Sequence, residues 1–368
     1  MQSGVRIIAG AGTSTAAFVA PLKSGAAEPR PVRGWQDFTR LYPVGAEGGG
    51  EGGGEAGANL AEAVYGFFAN GGTECYVVGT GGGTPTAYTA GLTALEAVAD
   101  VNIVVAPDLW QAESEAPAIA KAIAGHCARL GNRMALLHTE QGASAADAVK
   151  TPALFGLDDT EAQFTAVYHP WIEVPGVDGT ARTVPACGHI AGIWARTDAE
   201  RGVFKAPANQ NVRGATAIEK ALTDDENGEL NAVGVNCLRV FPDRGLLVWG
   251  ARTLSTSRDW KYLNVRRLVN HLTDSIRAGA TWAVFEPNDE RLWASLRSAV
   301  ASYLSDQWRQ GALVGRTPDE AFYVICDQTN NPAERVKAGQ VAIDIGIAPI
   351  RPAEFIAFRV VQEAGTGQ

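Results

Sequence analysis

No two of the five cysteines stand in a CxxC pair; the nearest, Cys187 and Cys237, are fifty residues apart. That spacing excludes a zinc ribbon or a dense disulfide framework and predicts buried free thiols in a reducing compartment, for Cys75, Cys127 and Cys326 as well. No run of eighteen apolar residues occurs, so no transmembrane span is expected. The first residues carry no basic stretch followed by an apolar one, so no signal peptide is expected either. A Lys/Arg block is missing from a chain of net charge -9. An acidic surface without a basic cluster argues against nucleic-acid partners and direct membrane insertion.

Catalytic sets are missing too. The five histidines (His126, His138, His169, His189 and His271) form no HExxH pair. His169 precedes Pro170 and His189 follows Gly188, where both are expected to anchor turns. Ser255 and Ser257 follow no GxSxG elbow. Glycine-rich runs at residues 9–13 and 79–84 follow expected strands, but neither completes a GxGxxG or GxxxxGK[ST] loop. Thr84 stands where a third glycine would, and Thr84-Pro85 is expected to delay the helix after it. The acidic run at residues 224–229 lacks calcium-loop register and reads as a solvated turn after a helix at 217–222. No catalytic residue, cofactor or metal is therefore expected.

What the sequence has is a globular balance over 368 residues, with 46% hydrophobic and 19% charged. That length accommodates two domains, or one with a large insertion. Trp35, Phe38 and Leu41 space a short helix; Leu60, Val64, Phe67 and Phe68 share one face of the next. Between them, residues 45–57 are a glycine-glutamate tract that reads as a flexible surface loop. Strands are expected at 75–79, 101–106, 133–138 and from 165, with helices at 93–99 and 116–130 between them. That alternation predicts βαβ units and a largely parallel sheet.

Beyond residue 184 the pattern changes. A helix is expected from 187, a hairpin at 235–252 around Pro242-Asp243-Arg244, and amphipathic helices at 264–278 and 289–310. Val341, Ile343, Ile345 and Ile347 alternate with smaller or polar residues, the pattern of a half-buried strand. Seven of nine tryptophans lie from Trp171 onward, in core or at interfaces. Arg239, Arg244, Arg252, Arg258, Arg266 and Arg267 are expected to pair with carboxylates within or between subunits. The apolar run at 355–361 reads as a final edge strand, with Phe355, Ala357 and Arg359 facing one way and Ile356, Phe358 and Val360 the other.

Ordered blocks run through nearly the whole chain. They are Ser3-Gly4-Val5-Arg6, residues 13–19, residues 63–72, Cys75-Tyr76-Val77-Val78, Tyr168-His169-Pro170-Trp171, Gly188-His189-Ile190-Ala191-Gly192, Arg196-Thr197-Asp198 and residues 205–209. Trp249-Gly250-Ala251-Arg252-Thr253-Leu254, Phe285-Glu286-Pro287-Asn288 and the APIRPAEF run at 348–355 complete the series. Together they resemble contractile tail sheath proteins, the outer sheaths of phage tails, R-type tailocins and extracellular contractile injection systems. The resemblance implies an α/β fold with a sheath-type core built from both chain ends and an inserted α/β outer domain. On this chain the division is 1–22, 23–183 and 184–368. It further implies a non-enzymatic subunit that assembles with itself as stacked hexameric rings around an inner tube, with baseplate and terminator or cap proteins at the ends. Contraction by repacking, without nucleotide hydrolysis, drives the tube through a target envelope. Assembly is expected in the cytoplasm of the producing cell.

Inter-subunit linkers are expected at Gly4, Val5, Arg6 and Ile7 and at Phe355, Ile356, Ala357, Phe358, Arg359, Val360 and Val361. Family members carry a further N-terminal arm with a Pro-Gly-Val-Tyr-like block. This sequence opens at Met1-Gln2, which implies a misassigned start, a trimmed chain or a specialised sheath copy. Two other classes stay open on the sequence alone: a nucleotide-binding α/β enzyme using residues 79–84, and a non-polymerising adaptor of a sheath or baseplate.

Overall fold

The computed structural model describes residues 7–22, 28–43 and 58–354. The glycine-glutamate tract and the expected strand at 355–361 lie outside them. In chain order the first elements are β1 (Ala16–Ala20), β2 (Arg30–Val32), α1 (Trp35–Leu41), α2 (Ala58–Ala69), β3 (Cys75–Gly79), α3 (Pro85–Leu95), β4 (Ile103–Val105), α4 (Ala116–Leu130) and β5 (Met134–His138). Short helices α5 (Ala145–Ala148), α6 (Thr151–Phe155) and α7 (Asp159–Gln163) lead to β6 (Thr165–His169), β7 (Ile172–Val174), β8 (Arg182–Val184) and α8 (Cys187–Arg201). Then come β9 (Gln210–Asn211), β10 (Ala217–Ile218), α9 (Asp224–Ala232), β11 (Val235–Phe241), β12 (Gly245–Val248) and α10 (Leu263–Gly279). The last are α11 (Glu290–Arg309), α12 (Pro318–Ala321), β13 (Phe322–Ile325), α13 (Ala333–Lys337) and β14 (Asp344–Ile347).

Nine strands form one sheet in the order β2-β3-β1-β4-β5-β6-β11-β12-β9. All pairings from β3 to β11 are parallel. Every residue of β1, β4, β5 and β6 is buried. These strands are largely apolar, with Thr165, His138 and His169 at strand ends, because a parallel sheet is covered on both faces. The expected mixed α/β fold is thus present. A smaller sheet runs β10-β7-β8, and β13 pairs only with β14 among the described residues.

The large sheet crosses both 22/23 and 183/184. β1 lies between β3 and β4, and β11, β12 and β9 extend the same sheet. The N-terminal segment also reaches the C-terminal layer. The Ala11 backbone N–H donates to Ser275 Oγ at 2.8 Å, and Ile8 packs in a second cluster with Leu268, Leu272, Val300, Tyr303 and Leu304 of α10 and α11.

The covering helices approach closely. On α8, a Cβ at Gly188 would collide with the Ala63 carbonyl of α2, and one at Gly192 with that of Phe67. Small residues one turn apart let the two backbones touch, which brings α8 down onto β4 and β5. All five cysteines are free and buried, and burial pushes Cys127 and Cys237 up to about 12. Among the described residues no helix is long and apolar enough to cross a membrane.

Several local expectations are corrected. Thr84-Pro85 starts α3 rather than delaying it: Thr84 is the N-cap and accepts from the Ala87 N–H. Proline suits the first helical position because the N–H it lacks has no partner there. The acidic run is the first turn of α9, not a turn following a helix. Thr223 and Glu226 form a reciprocal capping box, and Asp224, Asp225 and Glu226 sit at the positive end of the helix dipole. Residues 217–218 are strand β10, held by pairing with β7 rather than by local propensity. His189 lies in the first turn of α8, and His169 ends β6 with its Nδ1 2.8 Å from Thr139 Oγ1. Of the expected strand at 341–347, only Asp344–Ile347 pairs.

Two sets of predictions follow from this packing. Gly188→Ala and Gly192→Ala are each expected to lower the unfolding free energy by about 1–3 kcal/mol, because a methyl group driven into backbone cannot be relieved by a rotamer change. Gly228→Ala, inside α9 with no neighbour within 4 Å of the new Cβ, is expected to raise it by about 0.4–1 kcal/mol. Urea unfolding of the three variants checks both signs.

Burial holds His126, His138, His169 and His189 down to about 4. The unfolded chain protonates them near 6.5, so their contribution is present above that pH and is lost as pH falls towards 4. Each accounts for about 3 kcal/mol of that loss. Asp108 acts oppositely: burial pushes its carboxyl up to about 8, against the Asn59 hydrogen bonds. Its contribution is full below the ordinary value of 3.8 and is lost as pH rises through about 8. Thermal melts should therefore peak near about pH 7. Asp108→Asn is expected to remove the fall above about pH 6.5 and to steepen the acid limb, because between 3.8 and 6.5 Asp108 opposes the histidines.

Candidate assembly surface

The two large-sheet edges are poor templates for another chain. β2 is three residues with Pro31 at its centre, and β9 is two residues long. Short edges and proline blunt strand addition. The β13–β14 ribbon is different. Its strands pair antiparallel, with Phe322 opposite Ile347 and Ile325 opposite Asp344. Period-two alternation turns Phe322 and Val324 towards the α11 cluster, while Tyr323 and Ile325 face out at 58% and 38% exposure. The Tyr323 ring lies over Gly346 across the pair. A two-stranded ribbon is marginal alone. Here Val300 and Leu304 of α11 support its inner face.

The turn between the strands is tied down by asparagines. Asn330 Nδ2 donates to the Ile325 carbonyl at 2.9 Å, and the Ala342 N–H donates to Asn331 Oδ1 at 2.6 Å. After β14 the chain stays close to this layer. Val314 N–H donates to the Ala348 carbonyl at 2.7 Å, and Asn264 Nδ2 donates to the Ile350 carbonyl at 3.1 Å. An open groove runs beside β13, between Ala294, Arg297 and Ala301 of α11 and Tyr323. A strand edge beside a groove that also presents Arg297, Ser298 and Asp319 can accept an added strand through main-chain hydrogen bonds.

Two ion pairs fix the surroundings. Arg267 of α10 donates to Asp198 of α8 at 2.9 and 2.5 Å, and both side chains are almost fully buried. Arg252 donates through Nε and Nη2 to the two oxygens of Glu354 at 2.7 and 2.6 Å. Partial burial pushes the Glu354 carboxyl up, but the Arg252 hydrogen bonds and charge outweigh it, with Lys261 and Tyr262 adding, and the pKa is lowered. The expectation of arginine–carboxylate pairing holds for Arg252, Arg267 and Arg239, the last with Asp224. It does not hold for Arg266, whose guanidinium sits 4.1 Å from the Trp260 ring centre and 4.6 Å from that of Phe164. Burial lowers Arg266 to about 10.

Of the expected linker residues, Ile7 is described and is 87% exposed. Gly4, Val5, Arg6, Phe355, Ile356, Ala357, Phe358, Arg359, Val360 and Val361 lie outside the described residues. The glycine runs stand apart from each other. Residues 79–84 close on themselves, with Thr80 Oγ1 donating to the Gly82 carbonyl at 2.6 Å. In residues 9–13, the Thr13 carbonyl accepts from Arg267 at 3.0 Å. Among the described residues no cluster of three or more His, Cys, Asp or Glu could hold a metal. Sequence reasoning missed the Arg252–Glu354 contact, although both residues lie in blocks it had singled out. It also missed the outward pair Tyr323 and Ile325, which the apolar run at 321–326 carries.

Known proteins share this fold. The family model for the phage tail sheath protein central domain matches residues 81–254, and that for the phage tail sheath C-terminal domain matches residues 255–363. A prophage major tail sheath protein of Pseudomonas aeruginosa (strain UCBPP-PA14) is 30% identical over 184 residues, 49% of this chain and 46% of that protein. The chain thus spans about half the length of that curated relative. The PVC sheath complex of an extracellular contractile injection system, in the contracted state, superposes with a TM-score of 0.83 at 28% identity, covering 99% of this chain and 95% of the other. A chain of the anti-feeding prophage baseplate gives 0.80 at 28% identity, covering 99% and 97%. The chain belongs to the phage tail sheath protein family.

Proposed function

We propose that the chain is a structural subunit of a contractile tail sheath. Copies would stack as hexameric rings around an inner tube, and contraction would drive the tube through a target envelope. The observation that carries this reading is the contrast in strand edges: the large sheet is blunted at both ends, whereas the β13–β14 ribbon pairs with no third strand among the described residues and turns Tyr323 and Ile325 outward. The likeness to the contracted PVC sheath complex over 99% of the chain supports it.

In this reading the linker segments, residues 4–7 and 355–361, leave one subunit and add as strands to the ribbons of its neighbours. Main-chain hydrogen bonds supply the affinity, and alternating side chains set the register. On this reading residues 1–22 and 184–368 carry the assembly surfaces and 23–183 lie outward, with the large sheet shared by both parts. Work comes from repacking of subunits, a process that calls for no nucleotide, metal or catalytic residue. The partners are further copies of the chain, the inner tube protein, and the baseplate and terminator or cap proteins, with assembly in the cytoplasm of the producing cell. The likeness to a chain in the anti-feeding prophage baseplate favours a second placement, in a ring at the baseplate end.

Electron microscopy of the purified chain, alone and with its tube protein, tests the reading. Rods or stacked rings are expected; a monodisperse monomer under both conditions would sink it. Truncation after Glu354 is expected to leave a folded monomer without rods, and normal assembly by the truncated chain would rule out strand exchange. Ile325→Lys, a charge on the outward face of the edge strand, is expected to leave the melting temperature within a few degrees and reduce rods at least about tenfold.

A further inference from the structure

We propose that the Arg252–Glu354 pair is the anchor that ties the C-terminal segment to the large sheet, and that it carries the pull of that segment when a neighbouring copy engages residues 355–361. The second half rests on the sheath reading above. The first half stands on the geometry alone.

Upstream of Glu354, the segment is attached to the smaller layer. Its main chain bonds residues 312–314 and 321, and Asn264 of α10 holds the Ile350 carbonyl. The Arg351–Asp259 contact, at 3.3 Å, is exposed. At Glu354 the attachment changes partner. The Arg252 fork takes both carboxylate oxygens, and the Tyr262 hydroxyl donates to Oε2 at 3.2 Å. The remaining arm of the guanidinium, Nη1, donates at 2.6 Å to the Asn231 carbonyl near the end of α9. The Arg252 main chain is clamped by one side chain of β11. Its N–H donates to Asn236 Oδ1 at 2.7 Å, and its carbonyl accepts from Asn236 Nδ2 at 2.8 Å. Asn236 Nδ2 also reaches the Val167 carbonyl of β6 at 3.1 Å. A short series of hydrogen bonds therefore leads from Glu354 to α9, β11 and β6.

The chemistry suits a tether. Bidentate guanidinium–carboxylate bonds are directional and stronger than neutral ones. With side-chain exposures of 8% and 16%, the pair is little screened by salt. Lysine lacks the fork and could not hold both oxygens and Asn231 together.

The test uses the full chain as wild type, Glu354→Gln and Arg252→Lys, with hydrogen exchange on the soluble protein and rod counts by electron microscopy. Exchange over residues 348–354 is expected to speed up at least about tenfold in both variants, while β4, β5 and β6 stay as protected as in wild type. Unchanged exchange at 348–354 would overturn the anchor. So would equal loss of protection in β5 and β6, which would make the pair an ordinary core contact. Rods of Glu354→Gln should be fewer or fall apart at lower urea than wild-type rods. Variant rods equal to wild type in number, length and urea resistance would overturn the transmission of pull. Absence of wild-type rods would count against the sheath reading and that second half, while the exchange result would still decide the anchor.

Discussion

One guanidinium joins the two hydrophobic layers of this protein. Arg267, on α10, reaches across to Asp198 on α8, stacks 4.8 Å from the Trp194 ring centre and donates to the Thr13 carbonyl. Those partners belong to the helix over the large sheet and to the N-terminal segment leading into β1. With both side chains buried, loss of either partner would leave an uncompensated charge in the interior, at about 3–5 kcal/mol. An apolar pair could hold the layers as tightly, but it would allow them to slide. A bidentate ion pair permits one register. Arg267 finding Asp198 is therefore one tie that sets the ribbon relative to the large sheet, with Arg252–Glu354 a second, and Asp198 lies on the helix that packs closely on α2 at Gly188 and Gly192.

The two layers differ in kind. Around the large sheet, apolar strands are buried on both faces and helices close over them, which favours rigidity. The α10–α11 layer has a smaller core, and its ribbon pairs with no third strand among the described residues and turns Tyr323 and Ile325 outward. Both described chain ends run across that layer: Ile8 packs against Gly279, and Ile350 hangs from Asn264. Stiffness and availability for bonding are thus assigned to different parts of one chain.

Much of this was legible in the sequence because its causes are local. The apolar runs of β4, β5 and β6 and the periodicity of α4, α10 and α11 state their own burial. Fold class followed from their alternation, and the ordered blocks pointed to the family. α9 was missed although Thr223 and Glu226 carry a capping signal, because only Leu230 of that helix is buried and an amphipathic pattern is absent. Thr84-Pro85 was misjudged because proline starts helices as readily as it ends them. The Arg252–Glu354 contact joins residues 102 apart. It exists because β11 inserts next to β6 and α9 ends beside it, a non-local arrangement that no spacing reveals. The sharing of one sheet across residues 22/23 and 183/184 was hidden for the same reason: strand order is set by pairing, not by sequence position.

Charge adds a last constraint. Each copy carries a net charge of -9, so copies of the chain repel one another as whole bodies. At physiological salt that repulsion fades over about 8 Å, whereas strand pairing acts at about 4.8 Å and along a fixed direction. On the sheath reading, what binds subunits must therefore be short-ranged and directional, concentrated at strand edges and apolar side chains. Links of that kind survive only if their register is kept. Contacts between the acidic bodies are less specific and cost less to exchange. A lattice built from persistent strand links and weakly opposed bodies can alter how its bodies pack without losing its connectivity. On the same reading the ribbon and the C-terminal segment are where such links would form, and the large sheet is the body whose packing would change.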